Sequence, residues 1–261
     1  MSDSEAPVGA VIRHAATLVI FDERDDAAPH LLMVERSREL AFAGGAMVFP
    51  GGAVDPADLD MGAALAPALD PAEAGARICA IRETIEECGV GIGFREQPDR
   101  FTLAHIRQHL QSGGALHSVL AETGLELELD RLVPFARWCP PPRLEQKRRF
   151  DTRFYLARLP GGSHYARVDA TENVDLLWTS AQHMLDRCDR GEGKIIFPTR
   201  RNLERLAQFR SFDEAVAHAQ AIPVETVAPW QEERDGGRYL CIPDHLGYPV
   251  TSELMTSVQR G

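Results

Sequence analysis

Apolar residues alternate with polar ones, or run together briefly, at six places along the chain. Ala15 to Phe21, His30 to Glu35, Ala46 to Phe49, Val133 to Trp138, Phe150 to Leu159 and Val174 to Trp178 read as strands. A period near 3.6 predicts helices over 71–88, roughly 101–111, 115–122, 180–189, 200–209 and 212–221. The first of these is well marked. Asp70 is an N-cap acceptor, Pro71 takes the first helical position, Glu73 sits at the third, and Gly89 ends the run. Ser211 with Glu214 forms a capping-box pattern for the last helix. Strands and helices alternate irregularly, so a mixed sheet covered by helices is expected. In the segment around residue 153, Phe150, Thr152, Phe154 and Leu156 share one face, and Asp151, Arg153 and Tyr155 the other. Beyond about residue 222 the chain is Pro-rich and polar, and is expected to wrap the domain loosely.

Composition narrows the class. The 261 residues are 44% hydrophobic, enough for one large domain with elaborations. No apolar stretch approaches the roughly 18 residues of a membrane span. The acidic start, Met1 to Glu5, has no following apolar run, so no signal peptide is expected. Five scattered Cys without a Cys-x-x-Cys pair suggest neither a zinc site nor a disulfide framework, which fits a reducing cytoplasm. A net charge of −11 argues against nucleic acid or an anionic membrane as partner. It also disfavours a phosphate substrate, unless divalent cations bridge protein carboxylates and phosphates.

Helix 71–88 carries the candidate chemistry. Ile78, Ile81, Ile85 and Cys88 gather on one side as a core stripe. Glu83, Glu86 and Glu87 lie within about 100° of one another on the other side. Glu83 and Glu87 repel at i and i+4. All three crowd the helix end that already bears partial negative charge. Such a cluster is either an acidic solvent face or a site for a hard cation, Mg²⁺ or Mn²⁺, taken by oxygen ligands.

A second segment bears on that choice. Phe49-Pro50-Gly51-Gly52, followed downstream by Arg82-Glu83-x-x-Glu86-Glu87-x-Gly89, resembles the signature box of the Nudix hydrolase superfamily. The box is interrupted: Arg82 stands 30 positions after Gly52, an insertion of 16 residues at about 59–74. Asp58 and Glu73 both remain candidates for the role of the box's first Glu. The resemblance implies a Nudix-type α/β/α sandwich with a mixed β-sheet, extra helical insertions and a C-terminal extension. It divides the chain into a Nudix unit at 8–222 and an extension at 223–261. It implies Glu83, Glu86 and Glu87 as ligands of Mg²⁺ or Mn²⁺. Glu83 or Glu172 would be the base, and Arg82, counted with the catalytic set, would fix the loop after Gly52.

Residues 31–52, with Arg36-Ser37 and Gly45 in register, resemble the extended motif of coenzyme A-cleaving Nudix enzymes. Pro140 to Phe154, and Gly193-Lys194-Ile195-Ile196-Phe197-Pro198-Thr199 leading into Leu203 to Leu206, resemble the branch that includes the peroxisomal acyl-coenzyme A diphosphatase. The chain's most basic stretch lies here, with Arg143, Lys147, Arg148, Arg149 and Arg153. Arg presents a planar fork suited to phosphate. The expected substrate is a small-molecule diphosphate, CoA or acyl-CoA, contacted by Arg36, Gly51, Gly52 and Arg153. The alternatives are NADH- or ADP-ribose-type nucleotides, or a Nudix module that binds a nucleotide without turnover. Nudix proteins often dimerise, which leaves a homodimer open.

Overall fold

The first strand has two buried faces. In β1 (Val11–Asp22) Ala16, Leu18 and Ile20 enter one core, while Val19 and Phe21 enter another. Period-two alternation with both sides apolar calls for a layer on each side of the sheet. The computed structural model, which describes residues 11–23, 28–39, 43–141, 148–161 and 173–258, has that arrangement. Helices α2 (Pro71–Cys88), α3 (Arg100–Gln111) and α4 (Leu116–Thr123) cover one face. Helices α5 (Ala181–Asp189), α6 (Phe197–Leu206) and α7 (Phe212–Ala221) cover the other. The result is an α/β/α sandwich.

The sheet is mixed. β1 runs parallel to β6 (Arg148–Arg158) from the Val11–Arg148 pair to Phe21–Arg158. β5 (Val133–Trp138) is antiparallel to β6 and carries β8 (Thr226–Val227) in parallel. On the other side β7 (Asn173–Ser180) pairs along β2 (His30–Arg36). The opposite edge of β2 is therefore shared. β1 takes its start, through Phe21 and Asp22, and β3 (Met47–Val48) takes its end. β4 (Gly51–Ala53) then returns to pair with Ala15 to Thr17 of β1. β1 and β2 thus splay, and Pro50 with the two glycines fills the fork, where the Pro50 carbonyl accepts from Leu18 N–H at 3.0 Å. This wedge places Gly51 and Gly52 beneath α2.

Helices 71–88 and 212–221 have the predicted bounds, and Ile78, Ile81, Ile85 and Cys88 are all fully buried, as their stripe requires. Asp70 caps α2, accepting from Ala72 and Glu73 N–H at 3.0 and 3.1 Å, and Gly89 closes it with φ of 68°. The helix expected over 200–209 starts three residues earlier, as α6 (Phe197–Leu206) with Pro198 in its first turn, and two regions hold elements not marked by period. The insertion is helical, as the resemblance implies, but its helix α1 (Pro56–Leu65) is not marked by any period. It lies against α2 through glycines: a Cβ on Gly62 would meet the Ala74 backbone at 2.6 Å, and one on Gly75 would meet Leu59 at 2.6 Å. Its contact depends on close backbone approach, so no apolar stripe announces it. The C-terminal segment is also more ordered than a loose wrap. β9 (Trp230–Arg234), β10 (Gly237–Cys241) and β11 (Ser252–Leu254) form a small antiparallel sheet, followed by the short α8 (Met255–Val258). Tyr248, Ile242 and Leu246 enter the core beneath α6 and α7. Tyr248 Oη donates to Asn202 Oδ1 at 3.1 Å and accepts from Trp138 Nε1 at 3.0 Å. Among the described residues no helix is long and apolar enough to cross a membrane.

Candidate active site

The last turns of α2 lie directly over the glycine wedge. The Gly51 N–H donates to Glu87 Oε2 at 3.0 Å. A Cβ on Gly51 would strike the Ala16 carbonyl at 2.3 Å, and one on Gly52 would sit 2.4 Å from the Glu83 carboxyl. A side chain is therefore excluded at Gly51 and would displace the Glu83 carboxyl at Gly52, and the wedge backbone approaches the two carboxylates closely. Cys79, one turn earlier, points its thiol at the Gly52 and Ala53 carbonyls, 3.5 and 3.3 Å away.

Arg82 joins the parts. Its Nε and Nη2 donate to the two oxygens of Asp58 at 3.0 and 2.9 Å. Nη2 also donates to the Ala53 carbonyl at 3.1 Å, and Nη1 to Glu83 Oε1 at 2.8 Å. A planar fork of five donors suits this set of oxygens. Asp58 also accepts from the Asp55 N–H at 2.9 Å, which closes the start of α1. Of the two candidates for the box's first acid, Asp58 is the one that contacts Arg82. Glu73 instead pairs with Arg77 at 2.9 Å and Arg153 at 3.3 Å. Burial works against the Arg82 charge, and its hydrogen bond to Asp58 with the nearby Glu83 more than reverses that, so the guanidinium is held above its ordinary range.

The acids themselves are under-compensated. Burial pushes Glu83 up to about 7, with Arg82 offsetting part of this and Glu86 adding to it. Burial and then repulsion from Glu83 push Glu87 up to about 8, opposed by the Asn173 side chain, the Gly51 N–H and the Arg36 charge. Glu86 is the more open of the three, with a 3.5 Å contact to Arg82 Nη1. Four carboxylates (Asp55, Asp58, Glu83, Glu86) approach the guanidinium of Arg82, while Glu87 lies against Glu83 with the Gly51 N–H and the Arg36 charge opposing its burial. Among the described residues no group of three or more His, Cys, Asp or Glu side chains is drawn together closely enough to hold a metal ion as they stand. One oxygen of Glu83 is taken by Arg82 and one of Glu87 by Gly51 N–H. A carboxylate offers about four lone-pair sites, so both retain capacity to ligate. The donor set is all oxygen and anionic, and it fits a hard divalent cation.

The remaining predicted residues divide. Arg36, at the end of β2 beside a β-bulge, lies close enough to act on Glu87. Arg153 does not join the cluster. It is in register with Ala16 on the α2 side of the sheet, but its guanidinium reaches Glu73 at the start of α2. Glu73 is ten residues before Glu83, about 15 Å along the helix. The polar face expected for β6 is thus occupied at its start by Glu73 and becomes core again at Tyr155 and Ala157. Glu172, and the Arg143 and Lys147 of the basic loop, lie outside the described residues. Two contributors escaped the sequence reading. Asn173, fully buried at the start of β7, lies against Glu87. Arg107, from α3, grips the end of α2: its Nε donates to the Glu86 carbonyl at 3.0 Å and its Nη2 to the Glu87 carbonyl at 2.8 Å. Neither has a local sequence signal, because both act from elements distant along the chain.

The family model of the NUDT19 Nudix domain matches residues 63–206, more than half of the chain, including α2 and all three of its clustered acids. The chain belongs to this Nudix family. A crystal structure of a Nudix hydrolase from Alicyclobacillus acidocaldarius superposes with a TM-score of 0.68 at 32% identity, covering 80% of this chain and 96% of the other. The acyl-coenzyme A diphosphatase NUDT19 of Gallus gallus is 27% identical over 236 residues, covering 70% of this chain and 62% of that protein. A putative Nudix hydrolase 7 of Caenorhabditis elegans is 25% identical over 186 residues, with 70% and 57% covered. The chain therefore spans roughly 60% of the length of these curated relatives. In this Nudix chain the interrupted box is reassembled in space, with Asp58 brought back to Arg82 across the insertion.

Proposed function

We propose that this protein is a divalent-metal-dependent pyrophosphohydrolase acting on a nucleoside-diphosphate-linked substrate, with CoA or acyl-CoA the leading candidate. Glu83 and Glu87 lying against the glycine wedge, with Glu86 beside them on the same end of α2, carry this reading. The resemblance to an acyl-coenzyme A diphosphatase supports the choice of substrate. Residues 8–222 would form the Nudix unit and 223–261 an extension on it.

Glu83, Glu86 and Glu87 would hold Mg²⁺ or Mn²⁺. When bound, such a cation neutralises and orients a diphosphate and acidifies a water. The chain's own residues do the rest. Gly51 and Gly52, which let the wedge pass close under Glu83 and Glu87, would contact the diphosphate through their backbone. Arg36 directs a guanidinium toward phosphate oxygens on the same side. Glu83, beside Arg82 and the wedge, is one candidate base. Glu172 is the other candidate base. Arg82 and Asp58 keep the wedge and the helix in register. CoA would yield 3′,5′-ADP and 4′-phosphopantetheine, and acyl-CoA 3′,5′-ADP and the acylated 4′-phosphopantetheine.

Incubation with CoA and Mg²⁺ or Mn²⁺, followed by mass analysis, should show this product pair. A panel of NADH and ADP-ribose scored by kcat/KM would reveal a nucleotide preference instead. Glu86→Gln combined with Glu87→Gln should abolish metal-dependent turnover. Retained turnover in the double variant would refute the site.

A further inference from the structure

The carboxyl end of α2 has an electrostatic problem that its own sequence does not solve. The last carbonyls of a helix lack intrahelical donors and concentrate partial negative charge. Here three carboxylates crowd the same turns, and α2 has no basic residue in its last turn. A helix end so loaded frays, and fraying would scatter Glu86 and Glu87.

The solution comes from α3. Gly89 N–H satisfies the Ile85 carbonyl at 2.8 Å. Arg107 takes the next two, bridging the Glu86 and Glu87 carbonyls with separate nitrogens. Gln111, one turn further along α3, adds a second donor to the Glu86 carbonyl at 3.2 Å. α3 is itself anchored to the same core as Ile85 and Cys88 through Ile106 and Leu110. The guanidinium also packs against Gly89, where a Cβ would come within 3.1 Å of Nη1.

We infer that Arg107, assisted by Gln111, is a positioning residue for the metal site: it clamps the last turn of α2 and so sets the aim of Glu86 and Glu87. Resting on the function proposed above, the inference adds a residue outside the box. A bidentate fork is needed, because one planar group must meet two carbonyls at once. Lys, a point charge, would restore the charge without the bridge.

The test uses the full chain and Mn²⁺ as probe. Binding is followed by electron paramagnetic resonance, and opening of the last turn by hydrogen exchange at the Gly89 amide. Arg107→Met should weaken Mn²⁺ binding about tenfold, the scale of losing an outer-shell partner, and speed Gly89 exchange. Arg107→Lys should fall between Met and wild type. Turnover in Arg107→Met should recover as Mn²⁺ is raised, which a general loss of folded protein would not produce. Gln111→Ala, at an exposed position, supplies the readout if Arg107→Met does not fold, with a smaller weakening of the same kind. Mn²⁺ affinity and Gly89 exchange within twofold of wild type in folded Arg107→Met would overturn the clamp alone. Wild type that binds Mn²⁺ no better than the Glu86→Gln, Glu87→Gln protein would overturn the metal site and the clamp with it.

Discussion

Replacing Asp58 by Asn tests whether the insertion is clasped to the site through Arg82. Asp58 is buried and Arg82 mostly so, with side chains 3% and 12% exposed, and they form a two-point ion pair. Asn keeps the volume but turns an amide N–H₂ toward a guanidinium that can only donate. Breaking one partner of a buried pair costs about 3–5 kcal/mol. The one oxygen that Asn keeps can still accept from the Asp55 N–H, so the cap itself survives. A control lies three residues away. Asp55 also approaches Arg82, at 3.6 Å, but is 63% exposed. Screened contacts of that kind contribute about 0–1 kcal/mol. Asp58→Asn should therefore cost about 3 kcal/mol more than Asp55→Asn, read from urea unfolding followed by circular dichroism. At about 2–4 °C per kcal/mol for a chain of this size, the gap in Tm should be about 6–12 °C. Equal midpoints for the two variants would show that Asp58 does not hold the insertion to the box.

Two further outcomes follow from the same structure. Glu87 has a folded-state pKa near 8, above the ordinary 4.5, so its favourable contribution is complete at low pH and disappears as pH rises through about 8. In chelator, the urea midpoint should fall between pH 5.5 and 8.5, and Glu87→Gln should flatten that fall; an unchanged slope would contradict the burial of this acid. Tyr248→Phe leaves Trp138 Nε1 and Asn202 Oδ1 without their shared partner. It should destabilise by about 2 kcal/mol, and a urea midpoint equal to wild type would remove Tyr248 as the anchor of the C-terminal segment.

Much of the candidate site was legible because it is local. The bounds of α2, its core stripe and its three acids follow from caps and a 3.6-residue period, all within one element. That Asp58, not Glu73, contacts Arg82 was not legible. It depends on α1 folding back onto α2 through Gly62 and Gly75, a contact of backbones that leaves no apolar pattern. Arg153 was read on the correct side of its strand. What alternation cannot give is the element packed above it, here the start of α2 with Glu73. The C-terminal sheet was missed because β9 is exposed throughout and so lacks alternating burial. Asp235-Gly236, at the β9–β10 turn, was the available hairpin signal.

The parallel pairing of β1 with β6 has a consequence during synthesis. Val11 meets Arg148, a separation of 137 positions along the chain. One whole edge of the first strand therefore leaves the ribosome long before its neighbour exists. Pairings of such separation form slowly and leave strand edges open to aggregation. The nascent Leu18-Val19-Ile20-Phe21 stretch is consequently where a chaperone has most reason to bind, until translation passes residue 158 and the strand can close.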